Sequence, residues 1–115
     1  MKQKDKQITD ATIALLCATR DDVAILLREI ERRGVQAQCD AAIEKFAALT
    51  QALIKIRRCG NDFVAERAAL ETAIEEIAEA EIMVQTLKLI FGARDVNRVR
   101  VKTVRRMEIE VEETP

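Results

Sequence analysis

The amino-acid sequence predicts an all-α fold. Its 115 residues include only three glycines and one proline, so the chain has few of the turn signals that separate many short strands. Hydrophobic residues make up 49% of the chain and aromatic residues only 3%, and the aliphatic side chains recur at helical spacing. We therefore expect one domain, a helical bundle of about four helices, because no single helix can bury its own apolar stripe.

Residues 1–18 are predicted to form a polar tail followed by a short apolar arm. The apolar stretch from Ile8 to Ala18 is too short to distinguish a helix from an extended segment, so both forms remain open. Lysines before this stretch resemble the start of a signal peptide, but charged residues follow it directly. We expect a cytoplasmic protein, and no stretch approaches the roughly 20 apolar residues of a membrane span.

The main helical domain is predicted over residues 19–106, beginning with a capped helix. Thr19 and Asp22 have the spacing of a capping box, in which a hydroxyl accepts a hydrogen bond from a backbone N–H three residues later. Gly34 is expected to end this helix, because glycine readily adopts the positive φ of a helix C-terminus. The apolar face between them consists of Val23, Ile25, Leu26, Leu27 and Ile30.

Two longer helices follow. The second is predicted from about Gln36 to Arg58, and the third begins after a cap at Asn61 or Asp62 and ends at Gly92. The residues expected to face inward from the second helix are Ile43, Phe46, Ala47, Leu49, Leu53 and Ile56. Those of the third are Leu70, Ile74, Ile77, Met83, Leu87 and Ile90. The apolar face of the third helix is wide, so burial against more than one neighbour is expected.

The C-terminal region has two alternative forms. Asp95 could cap a last helix through Arg106, with valines on its face. Residues 107–115 form a separate C-terminal tail in this prediction. From Met107 to Val111, apolar and acidic residues alternate, so a strand suits this stretch as well as a helix does.

Charge and composition limit the classes of partner. The chain has 19 basic and 20 acidic residues and no histidine, so no net field attracts DNA, and we do not expect nucleic-acid binding. The three cysteines (Cys17, Cys39 and Cys59) lack the spacing of a zinc site and are expected to be reduced and buried. The wide apolar faces predict a homo-oligomer.

Glu76 and Glu79 are the most informative polar residues. On a helix, residues three apart project side by side, so these two carboxylates could share one divalent cation. The same spacing also fits a solvated acidic stripe, because the chain is rich in charged residues. Spacing alone leaves both interpretations open.

Two stretches, GVQAQCDAAIEKFAALTQALIKIRR and EEIAEAEIMVQTLKLIFG, resemble the MazG-like all-α nucleoside triphosphate pyrophosphohydrolases, especially the short phage-type members. The resemblance covers roughly residues 22–106. It includes a glycine-ended first helix, an EExxE-type motif, a basic loop, an ExxD-type motif and a lysine on the last helix. It implies Mg²⁺-dependent cleavage of an NTP or dNTP to a monophosphate and pyrophosphate, in dimers or tetramers.

The resemblance also implies a metal site that is incomplete in this chain. The first motif falls on Glu44, Lys45 and Ala48, and the second falls on Glu76 and Glu79. The acids that remain as implied Mg²⁺ ligands are Glu44, Glu76 and Glu79, while Lys45 and Ala48 replace two ligand positions. We hypothesise that Lys45 pairs with Glu76 or Glu79 and closes the site.

The resemblance further implies substrate contacts by Gln38 and Lys102. The favoured prediction is a nucleotide-binding relative of the pyrophosphohydrolases in which catalysis is weakened or lost. One alternative is an active Mg²⁺-dependent enzyme that uses the remaining acids, and another is a noncatalytic helical module that binds a protein partner. No catalytic residue is assigned, since the chain has neither a histidine base nor a glycine-rich phosphate loop.

Overall fold

The computed structural model describes residues 8–114, and every regular element in this range is an α-helix. The all-α prediction is confirmed, with five helices in this range rather than about four, because the short apolar arm also forms one. They are α1 (Asp10–Leu16), α2 (Arg20–Arg33), α3 (Val35–Arg57), α4 (Phe63–Phe91) and α5 (Ala93–Glu113). Within residues 8–114, no helix is long and apolar enough to cross a bilayer. The predicted polar tail, residues 1–7, lies outside the described residues.

Three of the predicted helix boundaries are confirmed by their hydrogen bonds or backbone angles. The Thr19 hydroxyl accepts a hydrogen bond from the backbone N–H of Asp22 at 3.1 Å, one half of a capping box. Gly34 follows the last residue of α2 with φ of +90°, where a side chain would be strained. The Asp62 carboxylate accepts from the backbone N–H of Ala65 at 3.1 Å and so caps α4.

The C-terminal helix corrects two predictions. Gly92, not Asp95, precedes α5, and Asp95 lies in its first turn, where it forms an ion pair with Arg98 at 3.3 Å. The helix continues through residues 107–111, so the strand alternative is wrong. A strand needs a neighbouring strand for its backbone hydrogen bonds, and residues 8–114 contain none.

The chain divides into two compact units. The first combines the described residues up to Arg28 with those from Lys88 onward. Its core contains Ile8, Leu16, Val23 and Ala24, with Leu27 and Leu89 packed against them. The apolar arm, whose form the sequence left open, is therefore a helix in this core. Polar contacts also join parts of this unit: Arg20 donates to the Ile8 carbonyl at 2.7 Å, and Lys88 donates to the Leu15 carbonyl at 3.3 Å.

The second unit, Glu29–Leu87, buries mainly small side chains. On α3 and α4 the buried apolar residues are Ala42, Ala52, Ala69, Ala73, Ala80 and Met83. Several residues predicted to face inward are instead exposed: Ile43, Ala47, Leu53, Leu70, Ile74 and Ile77. The most buried apolar residues of α3 and α4 are therefore mainly alanines, and most of the larger aliphatic side chains are half-buried or exposed. Small side chains allow helix backbones to approach closely, which favours the burial of alanine between helices.

The cysteines are less buried than predicted. Cys17 is exposed and ends α1 with φ of +53°, and Cys39 and Cys59 are half-buried. All three are free thiols. The apolar neighbours of each cysteine in the sequence do not determine burial, because successive residues of a helix point in different directions.

Candidate functional site

Lys45 and Glu79 form a direct contact between α3 and α4 within the second unit. The Lys45 Nζ donates a hydrogen bond to Oε2 of Glu79 at 2.9 Å. Both side chains are a little under half exposed. The predicted pairing of Lys45 with Glu76 or Glu79 is therefore confirmed, with Glu79 as the partner.

The local helix pattern explains why these side chains meet. Lys45 lies one turn after the buried Ala42, so it projects from the packed face of α3. Glu76 and Glu79 lie between the buried residues Ala73 and Ala80 on α4. Long side chains at such positions can extend from the packed face toward its solvated edge, where a lysine and a glutamate can pair.

The electrostatic surroundings of Lys45 are acidic. The hydrogen bond from Lys45 to Glu79 raises the lysine pKa above its ordinary value, and the charges of Glu79, Glu76 and Glu44 add to this effect while desolvation opposes it. Oε2 of Glu76 is buried and has no hydrogen-bond partner among the described residues. The ammonium group therefore supplies positive charge to a site where carboxylates would otherwise repel one another.

The contact with Lys45 engages one of the acids that the resemblance assigns to Mg²⁺. Mg²⁺ requires nearly octahedral oxygen ligands, of which the protein usually contributes one or two carboxylates. Among the described residues there is no group of three or more acidic, cysteine or histidine side chains placed to hold a metal. Oε2 of Glu79 already accepts from Lys45, and Ala48 has no ligand atom. The assignment of Glu44, Glu76 and Glu79 as metal ligands stays a prediction.

An open groove begins one turn after Lys45. Its volume is about 630 Å³, and its lining residues are Ala48, Gln51, Ala52, Ile54, Lys55, Arg58 and Thr72. Lys55 and Arg58 give one end of the groove two positive charges. From the sequence, both residues could attract phosphates, but the helix dipole explains them sufficiently, because basic side chains stabilise the C-terminal end of a helix. Their spacing from Ala48, seven and ten residues along one helix, places all three on one face and could have indicated the groove.

The other predicted site residues lie in different surroundings. Gln38 is only 6% exposed, and its Nε2 donates to the Glu29 carbonyl at 3.2 Å, so this amide holds the start of α3 against the end of α2. Glu44 is exposed on α3. Lys102 is exposed on α5 and belongs to the first unit. The structure thus brings together Lys45 and Glu79, whereas the substrate-binding assignment of Gln38 and Lys102 stays a prediction.

Comparison with known proteins identifies no relative of this chain. No family model matches the chain, and neither a curated protein nor a solved structure is significantly similar to it. The MazG-like resemblance therefore depends on the motif residues alone and stays a prediction.

Proposed function

We propose that this chain is a MazG-like nucleotide-binding protein in which pyrophosphohydrolase activity is weakened or lost. The observation that carries the proposal is the hydrogen bond between Lys45 and Glu79. It joins the two helices on which the resemblance places the acidic motifs, and it places an ammonium group at a position that the resemblance assigns to a metal ligand. A lysine can supply positive charge there, but it cannot lower the pKa of a bound water as a divalent metal does.

The groove beside this ion pair supports nucleotide binding. Its volume of about 630 Å³ lies within the range of small-molecule sites. Lys55 and Arg58 can make charge-assisted hydrogen bonds to phosphate oxygens, and the small side chain of Ala48 leaves the groove open. The phosphates lie toward Lys55 and Arg58 in this proposal, because Glu76 and Glu79 repel them.

Pyrophosphate release tests whether hydrolysis is lost. The wild type and the double variant Lys45→Glu/Ala48→Glu are assayed with a panel of NTPs and dNTPs in the presence of Mg²⁺ or Mn²⁺. We expect negligible turnover by the wild type and a gain by the double variant, which regains the two implied acids. Brisk turnover by the wild type, or strong stoichiometric Mg²⁺ binding to it, would contradict the proposal.

Nucleotide binding is tested separately by calorimetry in the presence of EDTA. We expect the wild type to bind a triphosphate without metal. Lys55→Ala and Arg58→Ala should each weaken binding by roughly tenfold or more, the value of one charge-assisted hydrogen bond. Arg57→Ala is the matched control, because Arg57 lies on the same helix but outside the groove lining.

A noncatalytic interaction module is the second candidate, favoured by the exposed apolar residues of the second unit. Ile43 and Leu53 on α3 are 67% and 52% exposed, and Ile74 on α4 is 66% exposed. We propose that a second copy of the chain covers this surface, since large aliphatic side chains are costly to leave in water. Light scattering of wild type and Ile74→Asp tests this proposal. If neither the wild type nor the double variant binds or hydrolyses any nucleotide, the interaction module becomes the better description.

A further inference from the structure

Helix α5 carries a concentrated positive charge. Residues 94–106 contain six basic side chains and one acidic side chain, a net charge of +5, whereas the whole chain has a net charge of −1. Exposed charges more than about 8 Å apart are largely screened at physiological salt. A polyanion near α5 is therefore attracted by this local charge, which the net charge of the chain conceals.

Four of the basic residues form a stripe along one face of α5. Arg94, Arg98, Lys102 and Arg105 follow one another at spacings of four, four and three residues, so they lie within roughly a quarter of the helix circumference. We call these four residues the basic stripe. Its length is about 16 Å, because each residue advances a helix by about 1.5 Å. All four side chains are exposed.

The basic stripe is turned away from the side of α5 that packs within the first unit. Helix α5 contacts α1, and Ala93 packs against the core cluster of the unit. Ala93 and Asn97 are half-buried, whereas every later residue of α5 is exposed. The stripe residues are rotated from the side of Ala93 and Asn97 by roughly a quarter turn or more. This face is therefore open to a large partner.

The basic stripe has little internal compensation for its charge. Arg98 forms an ion pair with Asp95 at 3.3 Å, and its side chain is 67% exposed, so the pair adds little to stability. Among the described residues, Arg94, Lys102 and Arg105 form no ion pair. Basic residues in the first turn also oppose the helix dipole. An external anion would offset the repulsion between these charges.

The composition of the basic stripe indicates the kind of anion. A helix on a membrane surface buries an apolar face in the lipid, and the centre of a protein interface is apolar. The stripe consists of charged side chains alone, with Val101 at its edge. Three of its four residues are arginines, whose guanidinium groups can make paired hydrogen bonds to phosphate oxygens. The stripe therefore matches a partner that presents regularly spaced phosphates.

We propose that the basic stripe binds the phosphate backbone of a nucleic-acid duplex without reading its sequence. A DNA duplex carries roughly ten phosphate charges along the about 16 Å that the stripe spans. Helix α5 has no aromatic residue on which the bases of a single strand could stack. Acidic residues after Met107 repel phosphates and so limit the contact to the first part of the helix. The contact lies within the first unit and does not depend on the nucleotide groove.

Fluorescence anisotropy of the full chain with a labelled DNA duplex tests the proposal. The logarithm of the binding constant should fall with the logarithm of salt concentration with a slope of about −3.6, since each phosphate contact contributes about −0.9. Two duplexes of unrelated sequence should bind equally. An RNA duplex is the second probe, and tighter binding of either duplex identifies the source of the phosphates. If the wild type binds neither duplex at low salt, or binds with a slope near zero, the proposal is wrong.

Paired substitutions test the position of the contact. Lys102→Gln/Arg105→Gln should weaken duplex binding by roughly tenfold and make the salt slope less negative by about 1.8, because two phosphate contacts are lost. Arg57→Gln/Arg67→Gln is the matched control, because it removes two exposed basic side chains from α3 and α4 and changes the net charge equally. An equal loss of binding in both double variants would overturn the proposal.

Two further measurements test other sites and partners. Lys55→Ala/Arg58→Ala, which changes the groove, should leave duplex binding within about twofold of the wild type, and a larger loss than that of the α5 variant would overturn the proposal. Vesicles of phosphatidylcholine and phosphatidylserine should not sediment the protein, and tighter binding to vesicles than to the duplex would identify a membrane surface instead. Circular dichroism shows whether each variant is folded. If the α5 variant does not fold, the salt slope of the wild type decides.

Discussion

Lys45 and Glu79 lie 34 residues apart in the chain, and a hydrogen bond of 2.9 Å between Nζ and Oε2 joins them. The bond connects α3 to α4 and sets an ammonium group among three carboxylates, those of Glu44, Glu76 and Glu79. The MazG-like resemblance implies an acidic metal ligand at the position that Lys45 occupies. Experiments on Lys45 and Glu79 can therefore distinguish a metal site from a site in which lysine supplies the positive charge.

Metal dependence of thermal stability is expected to differ between the wild type and Lys45→Glu/Ala48→Glu. The wild type should show no change of melting temperature with Mg²⁺, because Glu79 is paired with Lys45. The double variant should be stabilised by about 2.7 kcal/mol when free Mg²⁺ reaches a hundred times its Kd. Differential scanning calorimetry measures both. Ala48→Glu alone is the control, and an equal response of this variant would show that Lys45 does not block the site.

The pH dependence of stability should reveal the Lys45 contact at alkaline pH. The folded pKa of Lys45 is raised above its ordinary value of 10.5, chiefly by the hydrogen bond to Glu79. A raised pKa adds stability that is fully present below the unfolded pKa and is lost as the pH rises through the folded pKa. The free energies of unfolding of wild type and Lys45→Met, measured with urea, should therefore differ at neutral pH and converge above the raised pKa. If the difference in the free energy of unfolding persists unchanged at high pH, its cause is the packing of the lysine stem and not the charge.

Glu76→Met is expected to stabilise the fold. Oε2 of Glu76 is buried without a hydrogen-bond partner among the described residues, and an unsatisfied buried acceptor costs about 1–3 kcal/mol. Methionine has a similar length and removes that cost. Glu75→Met is the matched control, because Glu75 is exposed on the same helix and its replacement should change stability by less than about 0.5 kcal/mol. Chemical denaturation measures both, and a loss of stability in Glu76→Met would show that the carboxylate has a stabilising partner.

Leu16→Ala should strongly destabilise the first unit. Leu16 is 2% exposed and belongs to the core cluster with Ile8 and Val23. Removing a buried leucine side chain costs about 2–5 kcal/mol, including the cavity that remains. Ile25→Ala is the control on α2, where the side chain is 54% exposed. If both substitutions have equal effects in chemical denaturation, the Leu16 cluster is not the core of this unit.

Asp62→Ala should lower stability by about 1 kcal/mol through loss of the α4 cap. The Asp62 carboxylate accepts a hydrogen bond from the backbone N–H of Ala65 at 3.1 Å. Asn61→Ala changes the neighbouring exposed residue, which the sequence offered as the alternative cap. Its effect on the unfolding midpoint should be close to zero, and a larger effect for Asn61→Ala than for Asp62→Ala would reverse the assignment.

One contact of the candidate site could be predicted, because its two residues lie on long helices with strong periodicity. The pairing of Lys45 with an acid of α4 followed from aligning two motifs on neighbouring helices. The groove residues Lys55 and Arg58 were explained by the helix dipole rather than assigned to a site, because basic residues near a helix C-terminus fit that dipole. Gln38 donates a hydrogen bond to the Glu29 carbonyl across two helices. A contact between helices cannot be read from a single sequence.

The sequence by itself determined three of the helix boundaries within residues 8–114. Thr19, Gly34 and Asp62 act through backbone angles and hydrogen bonds within a few residues, so their effects are readable locally. Only the tertiary structure decided which apolar side chains of α3 and α4 are buried. Ala42 is buried and Ile43 is exposed, although the isoleucine is the more hydrophobic. The choice depends on how closely two helices can approach, which is a property of both surfaces together.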